Sequence, residues 1–281
     1  MIAARLRALA VLVMLAASAA VQADEIPVRW LSGQWIQGGV IIGQVEPGST
    51  MIFEGRKLRL DSQGRFVFGL HRDEGKTVRL KLVEADGTEH PFARTVTQRE
   101  YRIQRIDGID QSKVTPPEST LARIRKEGAM VRKARHQDSD RTDFAEGFIW
   151  PSIGPISGVF GSQRILNGQP RQPHYGVDVA LPTGSPVVAP AGGVVTLAHE
   201  DMYFSGGTLM IEHGHGLSSA FLHLSKILVK VGQEVQQGEL IAEIGATGRV
   251  TGPHLDWRVN WFDARVDAEL LVPEMPKPGP R

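Results

Sequence analysis

Apolar and polar residues alternate in short runs from Ile26 to about Ile109. Val78, Leu80 and Leu82 are interleaved with Arg79 and Lys81, and Phe66, Phe68 and Leu70, like Leu58 and Leu60, recur at the same spacing. This period of two marks half-buried strands. Turn signals separate the runs: Pro47-Gly48, Asp61-Ser62-Gln63-Gly64, Asp73-Glu74-Gly75 and Asp86-Gly87. Residues 26–110 are therefore predicted to form a small β-sandwich. From Phe148 onward the same pattern returns with denser glycines. Gly184–Pro190 leads into Gly193-Val194-Val195, and Gly232–Val235 leads into Gly238–Ile241. These stretches read as paired halves of a compact β-structure that would set the histidine segments on adjoining strands.

Between the two β regions, Thr115-Pro116-Pro117-Glu118 has the form of a helix start, a capping hydroxyl followed by proline in the first turn. Leu121, Ile124, Met130 and Val131 give one apolar stripe, and Arg123, Arg125, Lys126, Arg132, Lys133 and Arg135 a basic face. Two readings stand for that face: contact with an anionic polymer or membrane surface, or a solvated linker helix. The fold class is all-β, with an N-terminal β-sandwich over 26–110, a basic helical and polar linker over 111–147, a compact C-terminal β-sheet domain over 148–272 and a flexible tail over 273–281.

Composition narrows the setting. Of 281 residues, 41% are hydrophobic and 22% charged, so an ordinary core can form, and a formal net charge of +1 gives no global reason to expect nucleic acid. Arg5 and Arg7 precede the apolar stretch Ala8–Ala20, and Val21-Gln22-Ala23 offers small residues where a signal peptidase reads. Residues 1–23 are thus expected to be a cleavable signal peptide, with an uncleaved anchor as the alternative, and the mature chain to be periplasmic or secreted. There is no cysteine. That excludes disulfides, thiolate metal ligands, a cysteine nucleophile and a lipoprotein anchor.

Chemistry concentrates in the C-terminal half. His174 and Asp178 flank Tyr175-Gly176-Val177, His254 and Asp256 are two apart, and His223 lies in Phe221-Leu222-His223-Leu224-Ser225. Even spacing on a strand puts paired side chains on one face, and Gly176 between them leaves room for a metal or substrate to approach the backbone. Zinc held by three protein groups keeps a position for water, and further histidines can move its proton. Five such groups in three segments read as a zinc hydrolase site. His213-Gly214-His215-Gly216 is read as a hairpin turn, and Gly245-Ala246-Thr247-Gly248 lacks the ending of a phosphate loop. Trp257, Trp261 and Phe262 are read either as groove lining or as core.

On Gly158-Val159-Phe160-Gly161, His174-Tyr175-Gly176-Val177-Asp178, His223-Leu224-Ser225 and Thr251-Gly252-Pro253-His254-Leu255, residues 148–272 resemble the lysostaphin-type family of zinc peptidoglycan endopeptidases. The resemblance implies that His174 and Asp178 hold one Zn²⁺, that His223 and His254 are catalytic, and that peptide cross-links of bacterial peptidoglycan are the substrate. By the same analogy the bond is of the D-alanyl–diaminopimelyl type. The family pattern ends in His-x-His, and here Asp256 stands at the third ligand. Three readings follow: Asp256 ligates zinc, the site prefers a harder metal such as Mn²⁺, or metal is lost and the domain is a wall-binding regulator of another hydrolase. A lipoyl-type carrier, hinted at by Val229–Gly238, lacks the required lysine hairpin. The first reading, an exported zinc metallo-endopeptidase, is carried forward with the regulator as its rival.

Overall fold

A computed structural model describes residues 26–108 and 111–276. The expected signal segment lies outside the described residues. Among them, no helix is long and apolar enough to cross a membrane.

The N-terminal region forms two antiparallel sheets. One joins Arg29–Ser32, Val40–Gln44 and Arg65–Gly69, and the other joins Arg56–Lys57, Thr50–Phe53, Thr77–Val83 and Glu89–Thr95. Val78, Leu80 and Leu82 are buried while Arg79 is exposed, as the alternation requires. Pro91 sits in Glu89–Thr95, an edge strand, where a missing N–H leaves no ladder bond unmade. Ile103–Ile106 then leaves this region and pairs in parallel with Gln163–Leu166.

Most strands of the C-terminal region form one ten-stranded sheet, while Gln163–Leu166 and Gln169–Pro170 join Ile103–Ile106 in a separate one. The main path of the larger sheet runs Glu234–Val235, Gly193–Met202, Gly206–Glu212, Leu217–Ile227, Leu255–Trp261, Val177–Val179, Ile156–Gly158. The two glycine-led halves do pair, Pro186–Val188 with Leu240–Ile244 and Gly193–Val194 with Glu234–Val235. Every residue of Gly206–Glu212 is buried, so both faces of the sheet are covered there.

One cover is the helix Glu118–Arg135. Met130, Val131 and Ala134 pack on Leu197, Met202, Met210, Ala220 and Leu222. The helix is therefore not a solvated linker along this stripe, although Arg125, Lys126, Arg132 and Lys133 remain exposed. Its start also differs from expectation. Pro117 occupies the cap position without a side-chain cap, and the Thr115 hydroxyl instead meets Gln169 Oε1 at 3.3 Å.

The other cover is the N-terminal region itself. Phe53 and Phe68 meet Trp261 with ring centroids 5.9 and 6.5 Å apart. Close approach needs Gly69, where a Cβ would lie 2.7 Å from Val266 Cγ1 and 2.9 Å from Trp261 Cβ. One hydrophobic core thus runs through both β regions.

His213–Gly216 forms the turn between Gly206–Glu212 and Leu217–Ile227. His213 is fully buried, with Nδ1 2.7 Å from the Gly192 carbonyl and Nε2 2.8 Å from Ser219 Oγ. Burial pushes its pKa down to about 4. Between its unfolded value near 6.5 and about 4, the unfolded chain binds a proton that the folded chain does not, so acid favours unfolding. This one group should remove on the order of 3 kcal/mol as pH falls through that window. Urea midpoints measured from pH 7 to pH 4 should fall less steeply for His213→Gln than for the natural chain. Equal slopes would refute the assignment.

Candidate metal centre

Asp178 and Asp256 face each other across neighbouring antiparallel strands, as direct Cα partners. Directly opposed residues point to the same side of a sheet, so the two carboxylates converge. Two glycines make the space. A Cβ on Gly158 would lie 2.1 Å from Asp178 Oδ2, and one on Gly176 2.2 Å from Asp256 Oδ1. The room at Gly176 is thus taken up by the Asp256 carboxylate and the Arg258 stem, not left open as the sequence reading expected.

His174 enters from the loop before Val177–Val179. Its backbone is pinned at both ends, its N–H donating to the Ser162 carbonyl at 2.8 Å and its carbonyl accepting from Gly161 N at 2.7 Å. The ring is 1% exposed, with Nε2 3.0 Å from Asp178 Oδ1 and Nδ1 4.0 Å from Asp256 Oδ2. Neither ring nitrogen has a hydrogen-bond partner, and neither does Asp178 Oδ1. His174, Asp178 and Asp256 each offer a donor atom within 4.8 Å of the others.

The two remaining histidines lie beside this triangle. His254 Nε2 is 3.9 Å from Asp178 Oδ1, and the His223 and His254 ring centroids are 4.9 Å apart. His223 Nδ1 is 2.8 Å from the Thr247 carbonyl and His254 Nδ1 is 2.9 Å from the Gly252 carbonyl. A carbonyl only accepts, so each Nδ1 carries a hydrogen, and in a neutral ring Nε2 is then left as a lone-pair acceptor. Burial pushes the His223 pKa down to about 4, which keeps the ring neutral at pH 7. Its imidazole is buried. His223 holds φ 67, an uncommon conformation for a side chain with a Cβ. It sits where Leu217–Ile227 passes from pairing with Leu255–Trp261 to pairing with Leu240–Ile244.

The sequence reading missed two guanidinium groups. Arg258, two residues beyond Asp256 and so on the same face, donates Nε to Oδ1 at 2.9 Å and Nη2 to Oδ2 at 2.6 Å. Arg164 donates to Asp178 Oδ2 at 3.1 Å. Burial would raise the Asp256 carboxyl, but Arg258 and the His174 and His223 imidazoles outweigh it and hold it well below the usual carboxylate range. Spacing gave a signal for Arg258, an opposite charge at i+2 on a strand. For Arg164 there was none.

The donor set fits a divalent metal. His174 Nδ1 and Nε2 and Asp178 Oδ1 are buried without hydrogen-bond partners, and leaving such atoms bare costs about 1–3 kcal/mol each. A carboxylate has about four lone-pair sites, of which Arg258 uses two on Asp256. Trp257 and Trp261, meanwhile, are 0% and 6% exposed and belong to the core, not to a groove.

Residues 172–268 match peptidase family M23. A solved structure described as a putative peptidase M23 from Pseudomonas aeruginosa is 31% identical, with TM-score 0.67, and the match covers 85% of this chain and 95% of that one. The peptidoglycan DD-endopeptidase ShyA of Vibrio cholerae is 47% identical over 127 residues, 42% of this chain and 29% of that relative. A lipoprotein NlpD/LppB homolog of Pseudomonas aeruginosa is 37% identical over 102 residues, 36% of this chain and 32% of that relative. The chain thus matches less than a third of the length of either curated relative. Likeness along nearly the whole of the Pseudomonas structure, with the same family matched over the segment that carries all five histidine and aspartate side chains, places this chain in peptidase family M23.

Proposed function

We propose that the chain is an exported zinc endopeptidase that hydrolyses peptide cross-links of bacterial peptidoglycan. His174, Asp178 and Asp256 hold the metal, and His223 and His254 move protons beside it. The observation that carries this reading is the convergence of His174 and Asp178, whose ring nitrogens and Oδ1 are buried without a hydrogen bond, on the carboxylate of Asp256. Zinc bound there would polarise a carbonyl and lower the pKa of its water toward neutrality. His223, neutral and with Nε2 as acceptor, is suited to take a proton. His254 is tied in the same tautomer and can receive or return one on the adjacent side. The targeting pattern of Arg5, Arg7 and Ala8–Ala20 supports export, and the wall-directed name of ShyA supports the substrate.

A second reading has its own observation. Arg164 and Arg258 already balance the two carboxylates one for one, so the site is charge-neutral without a metal. That favours a wall-binding regulator with no hydrolytic activity. Zinc content of the purified protein, with digestion of purified peptidoglycan, separates the two. Stoichiometric zinc with digestion in the natural chain supports the enzyme. Zinc and digestion gained only in Asp256→His supports the regulator.

The same balance predicts the effect of Arg258 on affinity. Arg258→Gln removes a positive charge beside the metal and frees both oxygens of Asp256, so zinc should bind at least about tenfold tighter. Competition against a chelating dye would measure it. Unchanged affinity would show that the guanidinium does not compete with metal for Asp256.

A further inference from the structure

The charges of the helix Glu118–Arg135 are sorted by face. Its inner side packs Met130, Val131 and Ala134 on the sheet and buries Glu127, whose Oε2 accepts from the Tyr203 backbone N–H at 2.9 Å. With about 3.6 residues per turn, Arg125, Lys126, Ala129, Arg132 and Lys133 fall together on the opposite side, and all five are exposed. The four cations span about 12 Å of helix, at a rise of about 1.5 Å per residue.

On the flanks each cation is matched. Arg123 pairs with Glu127 and Asp201, and Arg135 pairs with Asp263. The outward four have no ion pair among the described residues. His136, which continues their side, lies against Asp263 with Nε2 2.9 Å from Oδ2. Between Glu118 and Asp138 the only acid in the sequence is Glu127, and it is turned inward. A helix face that needs only water gains from opposite charges at i,i+4, and this face omits them.

We infer that the outward face docks the chain on a bilayer rich in anionic phospholipid, lying against the headgroups as a polybasic patch without inserting. An exposed helix face is convex, so it suits a broad surface better than an enclosed ligand. Only Ala122 and Ala129 lie among the cations, which gives no aromatic ring to stack on a base and no bulky apolar anchor to insert. Lysine and arginine are mixed, as suits attraction that counts charge and ignores the paired geometry of a guanidinium fork. The whole chain carries only +1, so the excess is local to this face. The targeting pattern of Arg5, Arg7 and Ala8–Ala20 would bring the chain to a membrane in any case. Val131 and Arg135 line the cleft that also holds His223 and Arg258. The four cations are turned away from it, so docked lipid would not enter that cleft. Neither metal nor hydrolysis is needed for this docking.

The test sediments the full chain with phosphatidylcholine vesicles, plain or with roughly a third of phosphatidylglycerol. Partition onto the anionic vesicles should be at least about thirtyfold stronger, and high salt should abolish the difference. Replacing all four cations, Arg125→Gln, Lys126→Gln, Arg132→Gln and Lys133→Gln, should lose about tenfold or more. Arg125→Lys with Arg132→Lys should keep the affinity. Removing four exposed cations of the β regions instead, by Lys57→Gln, Lys76→Gln, Arg79→Gln and Lys230→Gln, should change it by no more than about twofold. Equal binding of the natural chain to both vesicles would overturn the docking face without recourse to any variant, and binding through Ala8–Ala20 alone would give that result. An equal loss in the β-region variant would overturn it in favour of net charge. Inorganic phosphate that releases the chain more than sodium chloride of the same ionic strength would overturn it in favour of a single-phosphate site. Purified wall bound through the four cations while anionic vesicles are not would assign the face to a wall polymer instead.

Discussion

Replacing His174 by alanine should leave purified protein without zinc and reduce peptidoglycan digestion by about a thousandfold or more. The same change should barely alter stability in metal-free buffer. Truncating a buried side chain normally costs about 2–5 kcal/mol, because packing is lost and a cavity remains. Here the ring also carries two buried nitrogens without hydrogen bonds, a cost of about 1–3 kcal/mol each that the alanine removes. The two effects oppose each other. The loop itself should hold, because the backbone bonds of residue 174 to Ser162 and Gly161 do not involve the ring. Added zinc then separates the proteins. At about a hundred times its dissociation constant, zinc should stabilise the natural chain by about 2.7 kcal/mol and leave the variant unmoved. Paired melts with and without zinc, alongside digestion of purified wall, measure all three quantities. A variant that keeps zinc or digestion would remove His174 from the metal set. A large stability loss without zinc would mean that the ring serves packing.

Much of this site was legible in the chain because it is built on short-range geometry. The strand alternation of Thr77–Val83 and the pairing of the two glycine-led halves follow from local pattern. His254 and Asp256 lie two apart, and Asp178 and Asp256 are cross-strand neighbours once the sheet is assumed. What the chain concealed depends on contacts between distant segments. Arg164 reaches Asp178 across a turn that no spacing rule describes. The stripe on Glu118–Arg135 gives an apolar face but not the surface it meets, and that surface turns out to be Leu197, Met202, Met210, Ala220 and Leu222 of the C-terminal sheet. His223 shows no glycine to announce its positive φ. Its conformation is imposed where one strand divides its pairing between two partners.

The strand Leu255–Trp261 carries both halves of the architecture, and this makes Trp261 the position where a core substitution should have its largest effect. Asp256, Arg258 and Asn260 lie on the side of the metal centre, while Trp257, Val259 and Trp261 alternate to the opposite side and are buried. On that side Trp261 meets Phe53 and Phe68 of the N-terminal region, with Arg56 5.2 Å from its ring and its Nε1 donating to the His215 carbonyl at 3.2 Å. Trp261→Ala should therefore cost about 3–5 kcal/mol, which for a chain of this size is on the order of a 10 °C drop in Tm. Trp261→Phe should cost less, because it keeps most of the ring contacts and loses chiefly the bond to His215. If one core joins the two β regions, unfolding followed by tryptophan fluorescence and by far-ultraviolet circular dichroism should give a single transition that shifts as a unit in both variants. Two separate transitions, with only one of them moved by Trp261→Ala, would show that the N-terminal region packs on the sheet without stabilising it. The strand that presents Asp256 and Arg258 would then be held by the C-terminal sheet alone.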